Sequence, residues 1–183
     1  RCAGRDPRAD PGHGGLMPQP FARGVRMGVD VGTVRVGIAL TDPDAVLATP
    51  HDTLGRDSNP RKAFDVKIIT RLCEERDVVT VYVGLPRSLD GGENASTRMA
   101  RDYAASLVRR LGSRGCTTAV RLVDERLSTV SAHRSLSDSG VSRRHHMDRV
   151  DQAAAVTFLQ TAVDQGRRTG TEPGEPVPDR AAD

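Results

Sequence analysis

Two runs of alternating apolar residues lie almost back to back near the start of the chain. Val25, Met27, Val29 and Val31 alternate with Arg26, Gly28 and Asp30; after Gly32-Thr33 come Val34, Val36, Ile38 and Leu40. Period-2 alternation is the signature of strands. The glycine between the runs predicts a tight turn, so residues 24–41 read as a central hairpin. One acid, Asp30, stands where the first strand runs out into that turn. A carboxylate in a largely apolar strand costs free energy unless it is paired or bound to a metal. Two readings of Asp30 stay open on this pattern alone: a residue that caps the turn through its own backbone, and a metal-binding carboxylate.

The rest of the chain reads as a third short strand followed by βα units. Asp42-Pro43-Asp44 predicts a turn, and Leu47–Leu54 a short strand. Asn59-Pro60 predicts the opening of a helix that carries Val66, Ile69, Leu72 and Cys73 on one face and ends near Arg76-Asp77. Val78 to Val83 is almost continuously β-branched, as in a strand buried on both faces, and stops at Gly84-Leu85-Pro86. A second helix is expected from about Ser96 to Leu111, a strand over Ala119–Val123, and a third helix from Ser128 or Thr129 to about Ser137. A basic loop over Asp138–Met147 leads to a last helix from about Asp148 to Gln165. This order predicts an α/β fold, a five-stranded mixed sheet with helices on both faces. Residues 1–23 and 166–183 are rich in Gly, Pro and charge without periodicity, and are expected to be disordered tails around one domain spanning 24–165.

Composition narrows the function classes. Trp is absent, with only 2 Tyr and 3 Phe, so an aromatic platform that stacks bases is excluded as the main device. Net charge is +3, but basic residues cluster at Arg109-Arg110, Arg143-Arg144-His145-His146 and Arg167-Arg168, which suits a polyanion partner. Cys2, Cys73 and Cys116 lack metal-ligand spacing and read as reduced thiols of a cytoplasmic protein. No apolar run reaches the roughly 18 residues of a membrane span.

In α/β sheets, sites form at the carboxyl ends of strands. Asp30, Gly84-Leu85-Pro86 and Asp124-Glu125-Arg126 end strands there, and Asp151 lies in the first turn of the last helix. Carboxylates gathered on one edge raise each other's pKa unless a divalent cation neutralises them, and oxygen-only ligation suits Mg²⁺ or Mn²⁺. Such ions position water and stabilise the leaving oxygen in phosphodiester hydrolysis. The bland alternatives are an ion pair of Asp124 or Glu125 with a neighbouring arginine, and a dipole-favouring acid at position 151. Around this edge, Thr33 offers a hydroxyl and an N–H to a phosphate, Arg35 follows the Gly turn beside Asp30, and Arg126 lies beside the Asp124-Glu125 pair. Arg87, Arg143 and Arg144 lie in flanking segments suited to a nucleic-acid backbone.

Gly28-Val29-Asp30-Val31-Gly32-Thr33-Val34-Arg35-Val36-Gly37-Ile38-Ala39 resembles the first motif of the YqgF/RuvX family. Val83-Gly84-Leu85-Pro86 with Asp90-Gly91-Gly92-Glu93, Asp124-Glu125-Arg126-Leu127-Ser128-Thr129-Val130 and Asp151-Gln152-Ala153-Ala154-Ala155 resemble its later motifs in the same order, with Ser128 where Thr is commoner. The resemblance covers about residues 24–165. It implies an RNase H-like fold and a metal-dependent nuclease (a hydrolase) that acts in 5′-end maturation of pre-16S rRNA, on ribosomal particles, as a monomer or weak homodimer. It implies Asp30, Asp124, Glu125 and Asp151 as the catalytic acids. Asp30, Asp124 and Asp151 are its expected metal ligands, with the choice between Asp124 and Glu125 open. The alternatives are a resolvase cleaving four-way DNA junctions and an inactive nucleic-acid-binding protein. Retention of all the acids argues against the last, because a pure binding surface gains from losing negative charge.

Overall fold

The computed structural model describes residues 20–57, 59, 62–86, 94–124 and 144–178, and for 144–151 the backbone alone. Its centre is a six-stranded sheet in the order β3-β2-β1-β4-β5-β6. The strands are β1 (Val25–Val31), β2 (Arg35–Thr41), β3 (Ala48–Gly55), β4 (Val78–Leu85), β5 (Ala119–Asp124) and the short β6 (Glu175–Pro176). Strands β1, β2 and β3 form an antiparallel meander, while β4 and β5 run parallel to β1. The helices are α1 (Phe64–Glu75), α2 (Ala95–Ser113) and α3 (Arg144–Thr169). This is the RNase H-like mixed sheet that the sequence predicts, with one strand more than the five expected.

The alternation that defines β1 divides the core in two. Met27, Val29 and Val31 pack with Val66, Ile69, Leu72, Tyr103 and Leu107 of α1 and α2. The opposite face carries Tyr82 and Val123 under Phe158, Leu159 and Val163 of α3. Gly28 lets α3 close on that face: a Cβ there would stand 2.8 Å from Leu159 Cβ. A capping box fixes α2 to the end of β4. The Asn94 side chain accepts from the Thr97 N–H at 2.9 Å, and Thr97 Oγ1 donates to the Pro86 carbonyl.

Three boundaries differ from the sequence reading. Helix α1 begins at Phe64 rather than at Asn59-Pro60. Asn59 accepts from the Lys62 and Ala63 N–H groups in a separate turn, and Ala63 at φ 40° breaks it from the helix. Helix α3 takes in Arg144–Met147 from the expected basic loop and runs past Gln165 to Thr169. Gly166 is an interior packing position, where a Cβ would meet the Phe21 ring at 2.3 Å. The expected helix over 128–137 lies outside the described residues.

The expectation of disordered tails is corrected where the chain leaves the domain. Phe21 N–H donates to the Gly170 carbonyl at 2.9 Å, and Pro20 bridges Thr171. Arg121 donates to the Pro173 and Gly174 carbonyls, both at 2.7 Å, and Glu175–Pro176 adds β6 to the edge of β5. The physical reason is charge: Arg26 is fully buried, and its partner Glu172 comes from this segment, 2.6 Å away.

Candidate acidic centre at the carboxyl edge of the sheet

Strands β1, β4 and β5 point the same way, so their carboxyl ends share one edge of the sheet. Val29 is level with Val83, Gly84 with Val123, and Leu85 with Asp124. Asp30 and Asp124 therefore stand at the same end, two strands or about 10 Å of backbone apart. Asp30 is 3% exposed, and both of its carboxylate oxygens are shut off from solvent.

The pleat sorts these acids by face. Gly28 lies under α3, so Asp30, two residues on, belongs to the α3 face as well. Helix α3 runs antiparallel to β1, with Gly166 over Phe21 and Leu159 over Gly28. Position 151 lies one turn before Ala155, on the stripe that packs toward β1 and at the Asp30 end of the helix. Asp124 is in register with Leu85 and shares the strand face of Leu122 and Val120, which belong to the α1/α2 core. The fold thus brings Asp30 and Asp124 to one edge but not to one face. A cation held by both has to sit beyond the end of the sheet.

The remaining predicted residues fall in three groups. Thr33 is exposed in the β1–β2 turn, and Arg35 is half-buried at the start of β2. The Arg35 carbonyl accepts from the Gly32 N–H at 2.8 Å, which closes the turn beside Asp30. Arg144 opens α3 and Asp151 lies within it, each described by its backbone only. Glu125, Arg87, Arg126 and Arg143 lie outside the described residues.

The sequence profile of the RuvX family, described as Holliday junction resolvase, matches residues 24–165. The chain belongs to the RuvX family. A relative from Mycobacteroides abscessus, provisionally named a pre-16S rRNA nuclease, is 49% identical over 87% of this chain and 92% of its own length. A second, of the same name from Mycolicibacterium smegmatis, is 46% identical over 82% of this chain and 89% of its own length. Among solved structures, Thermus thermophilus RuvC in complex with a Holliday junction substrate superposes with a TM-score of 0.52. The identity is 12%, covering 84% of this chain and 99% of that one. At that identity the likeness is one of fold.

For this RuvX-family chain the donor set at the edge is all carboxylate, which fits a hard divalent cation rather than a soft one. Among the described residues no three His, Cys, Asp or Glu side chains gather around one point. Of the expected set, Asp30 is buried and Asp124 stands on the rim; Asp151 is described by its backbone only, and Glu125 lies outside the described residues.

Sequence reasoning missed Arg56, which contacts the β1–β2 turn through its backbone N–H and its side chain. It fell in the expected Gly55–Pro60 loop, where an arginine carries no specific signal. Tyr103, read as part of an apolar helix stripe, is buried there.

Proposed function

We propose that this protein is a divalent-metal-dependent endonuclease that hydrolyses phosphodiester bonds, acting in the cytoplasm on the 5′ end of pre-16S rRNA. The observation that carries the reading is Asp30. It is a buried acid at the carboxyl end of the central strand, on the face covered by the helix that bears position 151. The names of relatives at 44–49% identity supply the substrate.

Asp30 and Asp151 would hold Mg²⁺ or Mn²⁺, with Asp124 or Glu125 completing the set. Bound there, the ion supplies Lewis-acid stabilisation of charge on the phosphate and on its leaving oxygen. Burial of Asp30 keeps its carboxylate in one orientation and keeps bulk water from competing for it. Thr33 offers a donor to a non-bridging phosphate oxygen from the turn next to the acid. Arg35, Arg87, Arg126, Arg143 and Arg144 would position the backbone of the nucleic acid without reading its sequence.

A second reading keeps the chemistry and changes the substrate to a four-way DNA junction. The family description and the RuvC-like fold favour it. It needs two coordinated cuts and hence two copies of the chain. One experiment separates the two: a 5′-extended 16S precursor on ribosomal particles and a synthetic four-way junction, each with Mg²⁺ or Mn²⁺. Cleavage of the precursor alone supports rRNA maturation, and paired symmetric cuts in the junction support resolution. If neither is cut, the nuclease reading falls.

A further inference from the structure

A charged group stands behind the β1–β2 turn that neither the acidic edge nor the apolar core accounts for. Arg56 follows the last residue of β3. Its backbone N–H donates to the Val34 carbonyl at 2.8 Å, and its Nη1 lies 3.5 Å from the Gly32 carbonyl. One residue therefore grips both ends of Gly32–Val34, the turn that presents Thr33 and begins two residues after Asp30. The same Nη1 lies against the Met99 sulfur of α2. The next residue, Asp57, accepts from the N–H of Phe64, the first residue of α1, at 3.4 Å.

Two polar groups on the neighbouring helices are buried as well. Asp65, in the first turn of α1, is 1% exposed with both carboxylate oxygens sealed from solvent. The Tyr103 hydroxyl on α2 is sealed too. Tyr103 resists ionisation chiefly because it is buried and next because of the negative charge of Asp65, while the charge of Arg56 acts in the opposite sense. A carboxylate sealed in a core is costly unless charge or dipoles compensate it. Here the amino end of α1 has the compensating sign.

We propose that Arg56 is a positioning residue for the Gly32–Val34 turn, and that it sets Thr33 and the end of β1 for a phosphate. The proposal rests on the nuclease reading for what the turn receives, and on the contacts alone for what holds it. At 3.5 Å the side-chain contact is loose. Catalytic-site contacts of that kind tighten once substrate is bound. The lever matters because an error of about 1 Å in a site costs on the order of a hundredfold in rate.

The test uses Arg56→Ala and Arg56→Lys in the full chain, with Asp30→Asn as the inactive reference. The first readout is amide hydrogen exchange by NMR, which needs no activity. Arg56→Ala should speed exchange of the Gly32 amide about tenfold while Val29 and Val83 stay put. The second is Mg²⁺-dependent cleavage of a labelled 5′-extended 16S precursor fragment. Arg56→Ala should lower kcat about 10–100-fold with KM within about threefold. Arg56→Lys keeps the cation and should recover part of both effects. Unchanged Gly32 exchange in Arg56→Ala, or wild-type kcat in that variant, overturns the proposal. If Arg56→Ala does not fold, the Arg56→Lys readings decide in the same way. If the wild type cuts nothing yet Arg56→Ala loosens Gly32, the nuclease reading fails and the positioning role stands.

Discussion

Strand β1 carries a buried charge at each end of one face, about 13 Å apart: Arg26 and Asp30. The two are handled in opposite ways. Around Arg26 the chain gathers partners for both terminal nitrogens. Nη1 donates to the Gly24 carbonyl at 2.8 Å, Nη2 donates to the Ala22 carbonyl at 2.5 Å and to Glu172 at 2.6 Å, and the Phe21 ring lies 3.8 Å from the guanidinium. Tyr82 donates its hydroxyl to the other oxygen of Glu172. One positive charge meets one negative charge, and the result is a clasp between the two flanks of the domain. At the Asp30 end it is acids that gather: Asp124 ends β5 on the same edge, and α3 carries position 151. Charge that is balanced inside the fold builds structure; charge of one sign gathered at a strand end favours a cation from outside.

The largest expected effect breaks the catalytic end alone. Asp30→Asn should abolish metal-dependent cleavage, as should chelation of the wild type, while the melting temperature stays equal or rises because a like charge has been removed. Full activity of Asp30→Asn in metal-buffered assays would remove Asp30 from the site. At the other end the effect should be on stability alone. Glu172→Gln leaves Arg26 buried without its counter-charge and should cost about 3–5 kcal/mol in urea unfolding. Cleavage below the new melting temperature should be retained. The paired change Arg26→Met with Glu172→Leu sharpens the contrast, since exchanging a buried ion pair for apolar side chains is often neutral. A double variant as unstable as Glu172→Gln would mean that the clasp acts through something other than charge.

Smaller effects probe the packing between the two ends. Gly28→Ala forces a methyl against Leu159 and should cost about 1–3 kcal/mol by the same urea measurement. If α3 tilts to accept it, activity should fall with stability, because position 151 rides on that helix. Phe21→Ala removes the ring over Arg26 and should cost about 1 kcal/mol. Its cleavage rate should match the wild type at 25 °C, and a loss of rate would tie the clasp to the site.

The hairpin, the buried strand Val78–Leu85 and Asp30 were legible because each is written in local spacing. Period-2 alternation needs no partner to be recognised, and an acid that interrupts it stands out. The N-terminal limit of α1 was less legible. Asn59-Pro60 is a fair helix opening, yet the left-handed Ala63 separates that turn from Phe64. The limits of α3 were misread for a related reason: Gly166 looks like a stop but is the gap that Phe21 fills.

The sequence by itself determined the order of β1 to β5 with α1, α2 and the last helix, the position of Asp30 at a strand end and the all-oxygen character of the candidate centre. Those follow from periodicity and residue chemistry over a few neighbours. Only the tertiary structure decided the register of the carboxyl edge, and that Glu172 belongs to Arg26 across 146 positions. It also decided that Arg56 reaches the Gly32–Val34 turn. Such pairings are set by sheet register and helix packing, and a buried charge finds its partner through space rather than along the chain.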